Sequence, residues 1–359
     1  MSDTKPLTFY TDRSAANLDD KCGMAFYHNR LAGGKGLVPK VEADAFRVGR
    51  IIHEDLSLIG NLADISEESI KGIVGEIMAG VDPSKVERRA MEDLYRRLGW
   101  IVGFALFIEP KIRAEYENVS IEQEIALDRS PLIVGVTPDR LLRHRKQGYL
   151  VYREYKSFAY GGQKWQDSWK YAIQLHTSLK AIEEEFGEAP RFAQVMGLSK
   201  GYYSNTEMRR LMHPYVYGYY NETTQTWSTQ YRSGNSWIAR PVWEHPLGLV
   251  EWVKSCGTDA ALNMFPHTEP IFLNEEMLNS WVRRRQHRER LMYAVKEEVK
   301  TNYEVRQLWF EQRTDRCRPP VGDACPYLPL CWNAAHHTRP ELHPDFVERV
   351  PHHDLELML

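Results

Sequence analysis

Three residues near the middle of the chain have the types and the spacing to act together on one small charged group. Asp139 follows a short apolar run, residues 132–136, and fourteen residues separate it from Glu154. Lys156 comes two positions after Glu154, so on a strand both side chains would point to the same face. The intervening residues are enough for the chain to turn back and bring Asp139 beside that face.

Two carboxylates and an ammonium group suit the hydrolysis of a phosphodiester. Asp139, Glu154 and the backbone carbonyl of Tyr155 would give Mg²⁺ or Mn²⁺ the oxygen ligands that these ions prefer. Lys156 would orient the attacking water or offset the developing charge. The alternative is an exposed salt bridge between Glu154 and Lys156, which E-x-K alone would favour. Because Pro138-Asp139 ends the preceding strand, we favour the catalytic interpretation.

The segments around these residues predict strands followed by a helix. Residues 119–127 alternate as a strand does, and 132–142 and 148–157 are rich in β-branched and aromatic residues. The polar run 143–147 separates the last two, which predicts strand, turn, strand. A helix is expected from about Trp165 to Phe186, then a buried strand over 191–198 and a hairpin around 221–225.

Helices are predicted on both sides of these strands. Residues 42–60 and 84–108 have helical periodicity, and so does most of 246–310. This order of elements predicts an α/β protein in which helices flank a mixed β-sheet core. The helix over 42–60 places Phe46, Gly49, His53 and Leu56 on one face. A histidine on such a face is usually a core residue, although Gly49 would permit a close approach one turn earlier.

Pro138-Asp139 followed by Glu154-x-Lys156 resembles the signature of the PD-(D/E)XK nuclease superfamily, which implies a restriction-endonuclease-like core. Residues 49–53 (GRIIH) are similar to the upstream motif of its RecB-like branch, which implies that His53 binds metal.

The helix after Lys156 carries a further resemblance. Residues 171–175 (YAIQL) are similar to the branch's Y-x-x-Q-L element, which implies that Tyr171 and Gln174 act near the substrate or the catalytic residues. Glu124, before Asp139, is a further candidate for a carboxylate near the metal, and Glu122 competes with it.

The five cysteines are unevenly placed. Cys22 lies near the N-terminus, Cys256 stands alone, and Cys317, Cys325 and Cys331 fall within fifteen residues. The first residues lack the features of a secretory signal, so we expect a reducing cytoplasm and no disulfide framework. Four thiolates would suit zinc or an iron–sulfur cluster, but zinc sites typically use two local C-x₂₋₄-C pairs, which are missing here.

One cysteine before the nuclease core and three after it resemble the iron–sulfur nucleases of the AddB type and the CRISPR-associated exonucleases. The resemblance implies that Cys22, Cys317, Cys325 and Cys331 hold a [4Fe–4S] cluster. The spacing departs from the family's C-x₂-C-x₅-C, because seven residues separate the first two cysteines of the trio. A crosslink closing a loop of about 300 residues would stabilise the fold by about 5 kcal/mol, which favours a structural role for the cluster.

We therefore divide the chain into four parts. These are a helical N-terminal part (1–115) with Cys22 and His53, a nuclease core (116–245), a helical part with the cysteine trio (246–335) and a tail (336–359). The net charge of −3 argues against coating nucleic acid by bulk electrostatics but allows a local basic channel. No apolar stretch reaches the roughly 18 residues of a membrane span, so no membrane partner is expected.

The leading hypothesis is a Mg²⁺- or Mn²⁺-dependent DNA exonuclease that acts on single strands or duplex ends in recombination, repair or end processing. The chain lacks a Walker A motif, so a helicase or recombination partner would have to supply any motor activity. The size suits a phage enzyme, by analogy only. One alternative is a non-catalytic DNA-binding or assembly subunit on the same scaffold, against which the intact acidic pair and lysine argue. Another is a redox iron–sulfur protein, which leaves the Asp/Glu/Lys set without a role.

Overall fold

Helices surround two mixed β-sheets in the computed structural model, which describes most of residues 8–351. The residues outside the description within that range are 33–34, 42–43, 80, 82–84, 159–162, 200–210, 212–213, 215–218, 222–224, 229–238, 242–247, 319–323 and 338. The N-terminal region contains strand β1 (Phe9–Asp12), helices α1 (Arg13–Lys21) and α2 (Gly23–Arg30), strand β2 (Leu37–Pro39), and helices α3 (Asp44–Asn61), α4 (Glu67–Met78) and α5 (Arg88–Gly103). A π-helical turn, Phe104–Ile108, joins α5 to α6 (Glu109–Glu115).

The central region supplies most of the strands. They are β3 (Tyr116–Ile121), β4 (Ile125–Arg129), β5 (Leu132–Val136), β6 (Arg140–His144) and β7 (Leu150–Phe158); helices α7 (Gln163–Ser168) and α8 (Ile173–Phe186) follow, and then strand β8 (Phe192–Ser199). One sheet has the order β3-β6-β7-β8, with β7 and β8 parallel. The other has the order β1-β5-β4, with β1 and β5 parallel. The N-terminal part thus adds a strand to the centre, in addition to its expected helices.

Short strands and further helices complete the chain. Strands β9 (Tyr219–Asn221), β10 (Thr226–Ser228) and β11 (Ala239–Pro241) form a small sheet, which confirms the hairpin predicted around 221–225. Helices α9 (Gly248–Cys256), α10 (Thr258–Met264), α11 (Glu275–Thr301), α12 (Tyr303–Trp309), α13 (Thr314–Cys317) and α14 (Leu328–Trp332) precede β12 (Phe346–Glu348), which pairs with β2. Residues 352–359 of the tail lie outside the description. Among the described helices, none combines the length and apolar character needed to cross a membrane.

Two of the predicted strands are each divided in two. The segment 119–127 breaks at Glu122, whose backbone φ of +50° is rare outside glycine and directs the chain from one sheet into the other. The segment 132–142 breaks over residues 137–139, between β5 and β6. Both breaks lie at the junction of the two sheets. A hydrogen bond joins them there, from the Glu122 N–H to the Asp139 carbonyl over 3.2 Å. Sequence alternation continues across both breaks, so it could not locate them.

The helix predicted from Trp165 to Phe186 is also interrupted. A short 3₁₀ turn, Trp169–Tyr171, follows α7, and Ala172 is extended, with φ −74° and ψ 105°. The chain then begins α8 at Ile173. The break changes the direction of the apolar face, so Trp165 and Trp169 pack around the same core as α8 although they belong to separate turns.

Two apolar cores, one on each side of β7, hold the helices against the strands. Ile52, Leu56 and Ile59 of α3 join the core that contains Val151 and Tyr155. The opposite core contains Leu150 and Tyr152 of β7 with Leu175, Leu179 and Ile182 of α8. Because successive residues of a strand face opposite sides, β7 can serve both cores.

A buried ion pair fixes the start of β6 to α6. The Arg140 guanidinium donates to both carboxylate oxygens of Glu109, over 2.7 and 2.8 Å, and both side chains are almost completely buried. Arg113 donates to the same carboxylate over 2.7 Å, and Asn118 accepts from Arg140 over 2.7 Å. These hydrogen bonds compensate for taking both charges out of water.

We predict that Arg140→Met lowers the free energy of unfolding by about 3–5 kcal/mol, because Glu109 would lose its bidentate partner while buried. Equilibrium unfolding in urea measures the change. Arg88→Met is the matched control, since Arg88 forms an exposed pair with Glu92 and should cost less than about 1 kcal/mol. Equal losses in the two variants would contradict the proposed role of the Arg140–Glu109 pair.

Candidate metal centre

Three side chains from different elements converge where the two sheets meet. His53 of α3 lies with its Nδ1 3.3 Å from Asp139 Oδ1 and 3.7 Å from Glu122 Oε1. The ligand atoms of all three residues lie within 4.8 Å of one another. One imidazole and two carboxylates at this separation could share a single divalent cation.

The backbone around Asp139 determines which way its carboxylate points. Arg140 is paired with Arg153 across β6 and β7, so Asp139 lies just beyond the end of this ladder, beside the next residues of β7. There the Tyr155 N–H donates to Asp139 Oδ2 over 2.6 Å. This bond occupies one carboxylate oxygen and leaves Oδ1 facing His53. The strand break at Glu122 brings the third side chain to the same place.

Glu154 lies in an adjacent cluster of hydrogen-bond donors on β7 and α8. Its carboxylate is 1% exposed, forms an ion pair with Lys156 and accepts hydrogen bonds from Tyr152 and Gln174. Tyr152, Glu154 and Lys156 alternate along β7, which places all three on one face of the strand, as the sequence spacing predicted. Gln174 reaches them from the first turn of α8.

The two clusters influence one another electrostatically. Burial alone would raise the pKa of the Asp139 carboxyl, but the charges of Lys156 and His53, with hydrogen bonds from His53 and Tyr155, hold it below its ordinary value. Burial raises the pKa of Glu122, and the nearby Asp139 carboxylate adds to that rise, although the hydrogen bond with His53 opposes it. The ammonium of Lys156 therefore belongs to the electrostatic environment of the histidine–carboxylate cluster.

His53 is the most strongly affected group in that cluster. Burial disfavours the charged imidazolium, but the Asp139 charge and hydrogen bonds to Asp139 and Glu122 outweigh it and raise the pKa of His53 to about 10. The two carboxylates thus favour a positive charge at this position.

The structure brings together most of the residues singled out from the sequence. His53, Asp139, Glu154, Lys156 and Gln174 all lie in the two clusters. Tyr155 contacts Asp139 through its N–H, whereas the sequence predicted a metal ligand at its carbonyl.

Other expectations fit the structure less well. The Tyr171 side chain is 77% exposed and makes no described hydrogen bond to either cluster. The close approach expected at Gly49 is wrong, since a Cβ there would meet no described atom within 4 Å. Gly60, further along α3, is the tight position, because a Cβ would lie 2.9 Å from Ile121. Of the two competing glutamates, Glu122 joins His53 and Asp139, and Glu124 belongs to no described set of three metal-ligating groups.

Four cysteines from opposite ends of the chain form a second candidate site. Cys22, Cys317 and Cys331 are buried and Cys325 is half-buried. Burial raises the pKa of the Cys331 thiol to about 12, and the three other thiols Cys22, Cys317 and Cys325 raise it further. The Cys22 Sγ also lies 3.9 Å from the Glu311 carbonyl, so the N-terminal cysteine packs beside the C-terminal trio. Cys256 lies apart in the core of α9.

In comparisons with protein-family models and with curated proteins, this sequence matched none. The residues of the two sites and their geometry therefore carry the functional argument.

We predict that the metal-free protein keeps His53 protonated at neutral pH, with a pKa well above 6.5, and that Asp139→Asn lowers that pKa. Because the folded-state pKa is raised, the stabilisation from His53 is fully present below about pH 6.5 and is lost as the pH rises through about 10. Imidazole nitrogen shifts followed by NMR test this. A wild-type His53 that titrates near 6.5 would contradict the prediction.

Proposed function

We propose that the chain is a metal-dependent deoxyribonuclease built on a restriction-endonuclease-like core. The observation that carries the proposal is the position of the His53–Glu122–Asp139 cluster beside the Glu154–Lys156 ion pair. An exposed E-x-K salt bridge does not explain this arrangement, because Glu154 is fully buried and Lys156 is only 20% exposed.

The donor set fits Mn²⁺ and Mg²⁺. Glu122 and Asp139 supply hard carboxylate oxygens, and His53 supplies an imidazole nitrogen that manganese accepts more readily than magnesium does. When bound, the metal would lower the pKa of a coordinated water and polarise the phosphate. Glu154 is the fourth candidate ligand from the sequence. Its oxygens are engaged by Lys156, Gln174 and Tyr152, so here we assign it first to positioning the lysine.

The protein groups have separable roles in the proposed hydrolysis. The Tyr155 N–H holds the Asp139 carboxylate so that one oxygen stays available to the cluster. Lys156, held by Glu154, brings an ammonium group to the place where the attacking water or the charged phosphate would lie. Gln174 and Tyr152 fix Glu154 in turn, so a shift of α8 would disturb the lysine. Hydrolysis breaks the P–O bond and adds water across it, which requires no redox partner.

DNA is the proposed substrate, with exonucleolytic cleavage of single strands or duplex ends in recombination, repair or end processing. The fit of the residues to the RecB-like pattern supports this choice over RNA or small phosphodiesters. The proposal includes a helicase or recombination protein as a partner, since the chain has no Walker A motif. A non-catalytic scaffold role is the alternative, and the intact cluster argues against it.

We also propose that Cys22, Cys317, Cys325 and Cys331 hold a [4Fe–4S] cluster. Cys22 and Cys317 lie close enough to Cys325 and Cys331 to contribute to the raised pKa of those two thiols, in a region with little regular structure. Thiolate ligation would remove the protons that burial otherwise retains. The cluster would tie α2 to the segment 311–331, which favours a structural role.

We predict that Asp139→Ala and Lys156→Ala each lower the rate of DNA hydrolysis by at least about 100-fold, because each removes a charge next to the reacting phosphate. End-labelled DNA incubated with Mn²⁺ or Mg²⁺ gives the measurement. Asp128→Ala is the control, since Asp128 is exposed on β4 away from the cluster. Equal degradation by wild type and Asp139→Ala would refute the catalytic assignment, and DNA binding without hydrolysis by wild type would favour the scaffold alternative.

We predict that Cys331→Ser loses the iron and the visible absorption of protein purified without oxygen, whereas Cys256→Ser keeps both. Cys256 is the matched control because it is equally buried but lies in a different core. Iron analysis and absorption spectra provide the readout. A colourless wild type with stoichiometric zinc would exclude the iron–sulfur cluster and leave the nuclease proposal standing.

A further inference from the structure

A polar cavity of about 160 Å³ lies against the catalytic cluster, between the first turns of α1 and α8. It is far larger than the space that one water needs. Gln174 connects it with the centre, because this side chain lines the cavity and also donates to Glu154. Thr137 lines it two residues before Asp139. The cavity is lined mainly by polar side chains, namely those of Asp12, Ser14, Thr137, Gln174, Thr177 and Ser178.

Several hydroxyl groups in this lining are available to a ligand. Ser178 is only 3% exposed, yet its hydroxyl makes no hydrogen bond within the part of the chain that the structure describes. Ser14 and Thr137 likewise make no side-chain hydrogen bond to a described residue. None of these three oxygens is among the described side-chain atoms that are both fully buried and unpartnered, so each can be reached from the cavity and can donate its hydroxyl hydrogen to a ligand there.

The charges around the cavity suit a group that has one negative charge and several oxygen atoms. Asp12 is the carboxylate in the lining, and both of its oxygens are engaged, by the Ala15 N–H at 2.7 Å and by Arg30 at 2.7 Å. Arg30 therefore compensates the negative charge. The first turn of α8 lies at the wall; its N-cap residue, Ala172, provides no side-chain cap, and the turn contains no acidic residue.

We propose that this cavity binds a backbone phosphate of the substrate strand, the one next to the phosphate that is cleaved. The inference rests on the proposed nuclease function and adds a second contact point for its substrate. Hydroxyl and amide donors match the non-bridging oxygens of a phosphodiester. A flipped nucleobase is disfavoured, because the described lining has no aromatic side chain on which a base could stack.

The consequence for catalysis is that the substrate strand would be held in one register relative to the His53–Glu122–Asp139 cluster. Thr137 and Asp139 belong to the same strand break, and Gln174 is shared by the cavity and the Glu154–Lys156 pair. A phosphate held by Ser178 and Thr137 would place its neighbour at the cluster. We assign Ser178 and Thr137 as positioning residues, since neither is placed at the reacting atoms.

Chemical interference on DNA tests the proposal. Oligonucleotides that carry one neutral methylphosphonate, moved linkage by linkage along the strand, are bound to wild type, Ser178→Ala and Thr137→Val in Ca²⁺, and affinity is measured by fluorescence anisotropy. In wild type, one position of the neutral linkage should weaken binding about tenfold, as expected for the loss of a hydrogen bond to a charged group. In Ser178→Ala, unmodified DNA should bind about tenfold more weakly, and the neutral linkage at that position should add little further loss.

Cleavage of the same oligonucleotides in Mn²⁺ gives a second readout. When the neutral linkage is at the identified position, wild type should cleave at several neighbouring linkages and no longer at one. Ser255→Ala is the matched control, because it removes a helix hydroxyl that bonds to Trp252 far from the cavity. Ala is a better helix former than Ser, so Ser178→Ala should fold.

The outcomes separate the two proposals. If wild type binds and cleaves DNA but Ser178→Ala and Thr137→Val keep its affinity and linkage dependence, the phosphate site is overturned and the nuclease function stands. If wild type neither binds nor cleaves DNA, both are overturned. If Ser178→Ala removes the effect of a neutral linkage at one position only, the phosphate site is supported.

Discussion

The hydrogen bond from the Tyr155 N–H to Asp139 Oδ2 fixes the orientation of the central carboxylate in the candidate metal centre. A backbone donor cannot rotate away, so the bond orients the carboxylate as rigidly as the strand itself. It requires that β6 begin directly after Asp139, and the buried Arg140–Glu109 pair keeps that start in place. It also leaves one oxygen of Asp139 for His53. The contact between Asp139 and the histidine of α3 therefore depends on a backbone hydrogen bond of β7.

Strand junctions explain how two sheets and two helices can share a single site. At a junction, backbone groups leave the ladder and side chains from both sheets can meet. This arrangement has a cost in backbone strain at Glu122, because its positive φ is a conformation that residues with a side chain rarely adopt. Its N–H is paired with the Asp139 carbonyl, so the two breaks stabilise one another. The strained position supplies a carboxylate to the centre.

The sequence predicted the parts of the site that depend on local spacing. Glu154 and Lys156 share a face because strands alternate, and His53 faces inward because helices repeat every 3.6 residues. Glu122 could be named only as a competitor of Glu124, because alternation continues through a break and a glutamate gives no sign of a positive φ. The break at Ala172 and the pairing of β1 with β5 were missed for a related reason. The strand pairing depends on contacts between segments far apart in the chain, and the residues around Ala172 include no proline or glycine that would mark a break.

The packing of Cys22 beside the C-terminal cysteines has a consequence for synthesis in the cell. Cys22 leaves the ribosome almost 300 residues before Cys317, which at ordinary rates of translation is a delay of about 15–60 s. Throughout that interval its thiol has no partner from the trio and is open to oxidants or to other metals. Contact between Cys22 and the three later cysteines can therefore form only after most of the chain has been made.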